Sequence, residues 1–261
     1  MSLRTVSTLL FAISATVTIV WGSSMSAMGG MPMPGGWTMS MVWMRMSGQT
    51  WPGAAVSFLG LWIVMMMAMM LPSLVPMLRR YRDAVGGIAG PARAPRLGWL
   101  TALVGAGYFF VWVLWGVAAF ALGIALAEME MGQPALARVV PIAVGGVILL
   151  AGAFQFSAWK ARHLACCRYE SAHGWPQRAD PRTAWRHGLR LGLHCSASCG
   201  NLILILLAIG VMDLRAMAVV TAAITAERLA PAGERIARAI GAVCAGAGMV
   251  LLARAAGLGS G

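Results

Sequence analysis

Negative charge is scarce in this chain: 8 of its 261 residues are Asp or Glu against 20 Lys or Arg, and charged residues of both signs make up only 11%. Sparse carboxylate disfavours a site for Mg(II) or Ca(II), which prefer oxygen ligands. Catalytic patterns are missing as well. The chain has no nucleophile–base–orienter set, phosphate-binding Walker loop, dinucleotide fingerprint or haem attachment sequence, so an enzyme is not expected. The cysteines number five, an odd count, and their spacing is not that of a small secreted domain, which excludes a disulfide framework. A formal charge of +12 invites nucleic acid as a partner. The basic residues, however, fall in short segments between apolar runs, where they set the orientation of a membrane protein. Membrane lipids are expected as partners, and nucleic acid is not.

What the chain has in abundance is apolar surface, at 59% of residues, far from the balance of a soluble domain. Runs long enough to cross a hydrocarbon core of about 30 Å read at 5–22, 54–78, 98–127, 138–159, 189–212, 214–230 and 236–254. The expected fold class is therefore all-α, a polytopic transmembrane bundle of about seven spans. Residues 1–22 also resemble a signal peptide, since Arg4 precedes an apolar stretch and Ser24-Met25-Ser26-Ala27 offers a cleavage-like end. A retained first helix is the reading adopted. Basic residues near span ends favour the cytoplasm. With the N-terminus inside, the outer segments keep only Arg45, Arg138, Arg215 and Arg254 among the arginines. This divides the chain into a first helix (1–22), a Met-rich periplasmic loop (23–53), a transmembrane bundle (54–254) with a cytoplasmic loop at 160–188, and a tail (255–261). A bacterial inner membrane is the expected location. Trp21, Trp51, Trp99 and Trp159 fall at the span ends, as interfacial anchors do.

Sulfur is the second abundant feature. Twenty residues are Met, eight of them between Met25 and Met46, in a Gly/Pro/Ser-rich stretch expected to be too broken for a hydrophobic core. Thioether sulfur is a soft ligand that favours Cu(I) and needs no deprotonation to bind. The competing reading is that Met fills apolar gaps. In the second span Met65 and Met69 share a helical face, as do Met66 and Met70. Pro72 then frees the carbonyl of Ala68 beside those sulfurs. Glu128 and Glu130 flank Met129 and Met131 in the second outer loop, a small patch suited to attracting a cation.

Thiols and imidazoles collect where the fourth and fifth spans meet the cytoplasm. His163, Cys166 and Cys167 end one, and His194, Cys195 and Cys199 open the other, with Cys195 and Cys199 one helical turn apart. Antiparallel helices joined by the 160–188 loop would let all six converge. Such a set suits Cu(I), with Zn(II) as the second choice. Polar groups at membrane depth are costly, which weighs against cysteines as mere packing. Glu227 is expected to pair with Arg228 or another arginine of the inner rim. Gly145, Gly146, Gly241, Gly246 and Gly248 lie in apolar spans, where small residues let helices approach.

These residues resemble a family of bacterial integral membrane proteins described as metal-binding and labelled copper chaperones. The resemblance runs over about 55–235, through Trp62, Met65, Ala68, Met69, Met70 and Pro72, then Lys160 to Arg168, then Cys195 to Cys199, then Glu227-Arg228-Leu229-Ala230-Pro231-Ala232-Gly233. Where such proteins show Cys-Leu-x-x-Cys-Arg, this chain has His163-Leu164-Ala165-Cys166-Cys167-Arg168, one soft ligand exchanged for another. Where they show adjacent cysteines, Ser198 precedes Cys199, and Gly200 replaces an aromatic. The resemblance implies metal binding. The expected function is Cu(I) capture by outer methionines, then ligation by Cys195, Cys199, His194, Cys166, Cys167 and His163, with Met65, Met66, Met69 and Met70 between. A metal acceptor or partner subunit follows from that role. The alternative is a non-catalytic subunit of a larger membrane complex, its small residues serving helix contacts.

Overall fold

The computed structural model describes residues 3–27, 29–45, 48–89, 94–173 and 179–257, without the side chains of 26, 41, 87–89, 94 and 166–173. Its helices in chain order are α1 (Leu3–Ala27), α2 (Trp51–Ala89), α3 (Ala94–Gly132), α4 (Pro134–Phe154), α5 (Ala158–His173), α6 (Pro181–Ile209), α7 (Leu214–Leu229) and α8 (Gly233–Ala255). Between α1 and α2 lie two short antiparallel strands, β1 (Gly30–Met33) and β2 (Trp37–Ser40), which pair Gly30 with Ser40 and Met33 with Trp37. A single 3₁₀ turn, Met41–Trp43, follows them.

Among the described residues six helices are long and apolar enough to cross a membrane: α1, α2, α3, α4, α6 and α8. The expectation of about seven spans differs from this by one span and one boundary. The run 214–230 forms α7, whose 16 residues rise about 24 Å, short of a hydrocarbon core of about 30 Å. The run 138–159 stops at Phe154, where a turn carries the chain into α5.

One end of the bundle holds the β1–β2 hairpin. The other collects Arg79, Arg80, Arg82 and Arg96 at the α2–α3 junction, Arg182, Arg186 and Arg190 on α6, and Arg235 and Arg238 on α8. α1 lies against α2 and α7. It buries Ser7, Ser14 and Thr18, a stripe at helical spacing that allows close approach. Their hydroxyls need no outside partner where they donate within the helix, as Thr18 does to the Ser14 carbonyl at 2.7 Å.

Two glycine seams set the rest. A Cβ on Gly188 of α6 would collide with the carbonyl of Val104, and one on Gly107 of α3 would come within 2.7 Å of the Trp185 carbonyl. Only glycine permits this approach of α3 to α6, which run in the same direction. α4 and α8 run antiparallel and meet through Gly152, whose Cβ would lie 2.5 Å from the Ala245 nitrogen, and through Gly145, Gly241 and Gly248. Gly146 and Gly246, expected at such contacts, face open space.

The Met-rich segment does form a small core. Met33 and Met39 are buried with Ala127 of α3 and Ala137 of α4, and Met31, Trp37 and Trp43 pack around them. The Trp37 indole N–H donates to the Ala137 carbonyl at 2.9 Å. Alternation along paired strands turns residues 31, 33 and 39 to the same face, so Met33 and Met39, with Met31 against them, serve packing. Met28 and Met46 lie outside the described residues.

Candidate metal centre

α2 presents a buried stripe of Met66, Met70, Ser73, Met77 and Tyr81 to its neighbours. Steps of four, three, four and four residues keep a side chain on one face of a helix. α2 continues through Pro72 and Pro76. Just past the first of these prolines, Ser73 donates its hydroxyl to the Met70 carbonyl at 3.0 Å.

α6 answers with Cys195 and Cys199, both buried, their sulfurs 3.6 Å apart. Cys195 Sγ lies 4.0 Å from Met70 Sδ. The Tyr108 hydroxyl of α3 reaches Cys195 Sγ at 2.9 Å, a contact made possible by the close approach at Gly188 and Gly192. Arg228, from the last turn of α7, donates through Nη1 to Cys195 Sγ at 2.9 Å and to Ser73 Oγ at 3.0 Å. Its Nη2 lies 3.5 Å from Met77 Sδ. Four helices thus converge on one sulfur atom.

A second layer lies beside this cluster. Lys160, the single lysine of the chain, is fully buried and forms a 2.7 Å ion pair with Glu227. It also donates to the Ser198 carbonyl. Gln155 donates to the other Glu227 oxygen at 2.9 Å. Glu227 was expected to pair with an arginine and instead takes Lys160 of α5. Successive residues on a helix point about 100° apart, so Arg228 can face the sulfurs while Glu227 faces α5. Asn201 donates to the Ala151 carbonyl at 3.0 Å and ties α6 to α4.

The predicted ligands therefore divide. Met70, Cys195 and Cys199 come together. Met65, Met66 and Met69 are buried in the same core. His194 is half-buried on a different face of α6 from its neighbour Cys195. Its ring lies 5.7 Å from that of His163, which packs 4.0 Å from Trp159. Burial, followed by the nearby His194 and Arg162, holds His163 below the ordinary histidine pKa. Cys166 and Cys167 are on α5, but their side chains lie outside the described residues. Among the described residues no three His, Cys, Asp or Glu side chains gather closely enough to hold a metal. A site of two thiols and one thioether is what the geometry offers.

Sequence reasoning missed Tyr108, named Lys160 within the Lys160–Arg168 stretch without giving it a role, and gave Arg228 a different one. Lys160 carried a signal, being a lone lysine at the edge of an apolar run. Tyr108 carried none, because a tyrosine within an apolar span reads as packing.

A family model described as copper chaperone, PpoB2, matches residues 59–251. The chain belongs to the PpoB2 family. The match takes in α2 from Leu59 onward, both cysteines of α6 and the Glu227–Arg228 pair, so every residue of the cluster described above lies within it. The hairpin and α1 fall before it. No curated protein and no solved structure matches the chain.

Proposed function

We propose that this PpoB2 protein is a membrane-embedded Cu(I) carrier whose inner site is Met70, Cys195 and Cys199. Metal–thiolate bonds of about 2.3 Å place the sulfurs of a three- or four-coordinate complex roughly 3.8–4.0 Å apart. Cys195 stands close to that separation from both of its partners, at 3.6 Å from Cys199 and 4.0 Å from Met70. This spacing is the observation that carries the reading. Two thiolates and a thioether form a soft donor set, which favours Cu(I) over hard cations. Structural Zn(II) is almost always four-coordinate with N/S ligands, and the fourth ligand is not among the described side chains here.

Capture begins at the hairpin end. Met33 and Met39 are committed to packing and Met31 lies against them, while Met44 is half-buried and Met129 and Met131 are exposed on the last turns of α3. With the arginine-rich end at the cytoplasm, as basic residues favour, these thioethers face the periplasm and the Cys195–Cys199 site lies toward the inner side. Ligand exchange between sulfurs moves the ion without ATP. Lys160, Glu227 and Gln155 fix the Ser198 turn and so hold the cysteine pair in register. A metal acceptor protein completes the path.

Elemental analysis of the full chain, purified in mild detergent under reducing conditions, tests this. Wild type is expected to retain about one copper per chain after excess is removed, and the Cys195→Ser/Cys199→Ser double variant to lose it. Equal copper in the two would remove the inner site.

A further inference from the structure

The sulfur cluster has a fixed cation built against it. Arg228 is buried, a guanidinium cannot be deprotonated in a protein, and its Nη1 rests 2.9 Å from Cys195 Sγ. Ligand softness alone does not call for such a group, since a cation beside a cation-binding site repels what the site is to hold. Its presence becomes intelligible when the charge of the whole loaded complex is counted.

Two thiolates holding a singly charged metal ion carry a net charge of −1, which Arg228 brings to zero. With a divalent ion the same groups sum to +1. The neighbouring Lys160–Glu227 pair cancels internally and leaves this balance unchanged. Net charge within a low-dielectric interior is strongly disfavoured. Arg228 touches the ligand rather than the ion, so its effect comes through Cys195 and through its charge. We propose that Arg228 is a positioning residue that makes the Met70–Cys195–Cys199 site selective by charge, accepting monovalent soft cations, Cu(I) and Ag(I), and rejecting Zn(II) and other divalent ions. This rests on the copper site proposed above and adds to it a basis for discrimination that softness alone does not supply, because thiolates also bind Zn(II) well.

The size of the effect follows from distance. An ion bonded to Cys195 at about 2.3 Å lies no more than about 5 Å from Arg228 Nη1, which is 2.9 Å from the same sulfur. At an effective dielectric of about 20, each additional unit of metal charge is then disfavoured on the order of 100-fold. Losing Arg228 weakens thiolate ligation for every metal. The ratio of affinities is insensitive to that common loss, and to a general loss of fold quality.

The full chain in detergent micelles, kept reduced, is titrated with Cu(I) and separately with Zn(II) against chromophoric chelators, in wild type, Arg228→Lys and Arg228→Met. The expected result is a Zn(II)/Cu(I) affinity ratio that rises on the order of 100-fold in Arg228→Met and stays near wild type in Arg228→Lys, which keeps the charge. An unchanged ratio in Arg228→Met, with Cu(I) still bound, overturns the charge-selection inference and leaves the copper site standing. Wild type that binds no Cu(I) removes the site itself. Should Arg228→Met fail to fold, competition on wild type decides: Ag(I) is expected to displace Cu(I) and excess Zn(II) is not, and equal displacement by the two would overturn the inference.

Discussion

Replacing Lys160 by Met isolates the buried ion pair at the heart of the bundle. Lys160 and Glu227 have side chains only 1% and 2% exposed and a separation of 2.7 Å, so solvent screens their interaction little. Removing one partner leaves an uncompensated buried charge, which costs about 3–5 kcal/mol. Lys160→Met leaves the Glu227 carboxylate, among the described residues, with the Gln155 amide as its hydrogen-bond donor, and it also removes the donor to the Ser198 carbonyl. Glu227→Gln strands the ammonium. At roughly 2–4 °C per kcal/mol for a chain of this size, either single change should lower the melting temperature by about 6–20 °C. The Lys160→Met/Glu227→Gln double variant removes both charges and should recover a large part of the loss, so the two effects are non-additive by about 2 kcal/mol or more. Thermal unfolding in a fixed detergent, followed by tryptophan fluorescence, measures all three. Single variants that melt within about 2 °C of wild type, or a double variant equal to the sum of the singles, would refute the argument that this pair is buried and mutually dependent.

Two further outcomes follow from the geometry. Gly188→Leu forces a side chain into the Val104 carbonyl, which separates α3 from α6 and costs about 1–3 kcal/mol or more; retained copper should fall with stability, because Tyr108 leaves Cys195, and a variant with unaltered melting would contradict the seam. His163 supplies a pH effect with a defined sign. Burial, His194 and Arg162 depress its pKa in the folded chain below the ordinary value of 6.5, so the folded state resists its protonation. Above 6.5 the group is neutral folded and unfolded and contributes nothing; as pH falls below that value the unfolded chain takes the proton first, and stability declines until the folded value is passed. Melting at pH 7.5 and pH 5.5 should therefore show a smaller acid loss in His163→Gln than in wild type, and equal losses would exclude the effect.

Much of the fold was legible because the requirement it answers is simple. A hydrocarbon core demands long apolar helices, and five of the seven runs read from hydropathy became helices that meet it without correction. The two errors share a cause. Hydropathy does not see where a turn such as Phe154–Ser157 breaks a run, and it counts α7 as a span although Glu227 and Arg228, near its end, are buried against α5, α2 and α6. The hairpin was misread because Gly and Pro signal a broken segment, and nothing local says that Met33 and Met39 will find Ala127 and Ala137.

The site divides in the same way. That Cys195 and Cys199 face one neighbour is a property of helical periodicity alone. That the neighbour contributes Met70 rather than a histidine depends on how far α2 and α6 are rotated about their axes, which packing decides. Arg228 and Lys160 come from segments 33 and 38 residues away from the sulfur-bearing turn they contact.

From the chain alone come the apolar helices, the arginine-rich end and the soft character of the ligands, because these depend on residue type and on spacing within one element. Only the folded bundle decides that a thioether of α2, a thiol pair of α6 and a guanidinium of α7 share one buried point. That choice is made by glycine seams and buried charges acting between segments distant in sequence, and no local pattern records it.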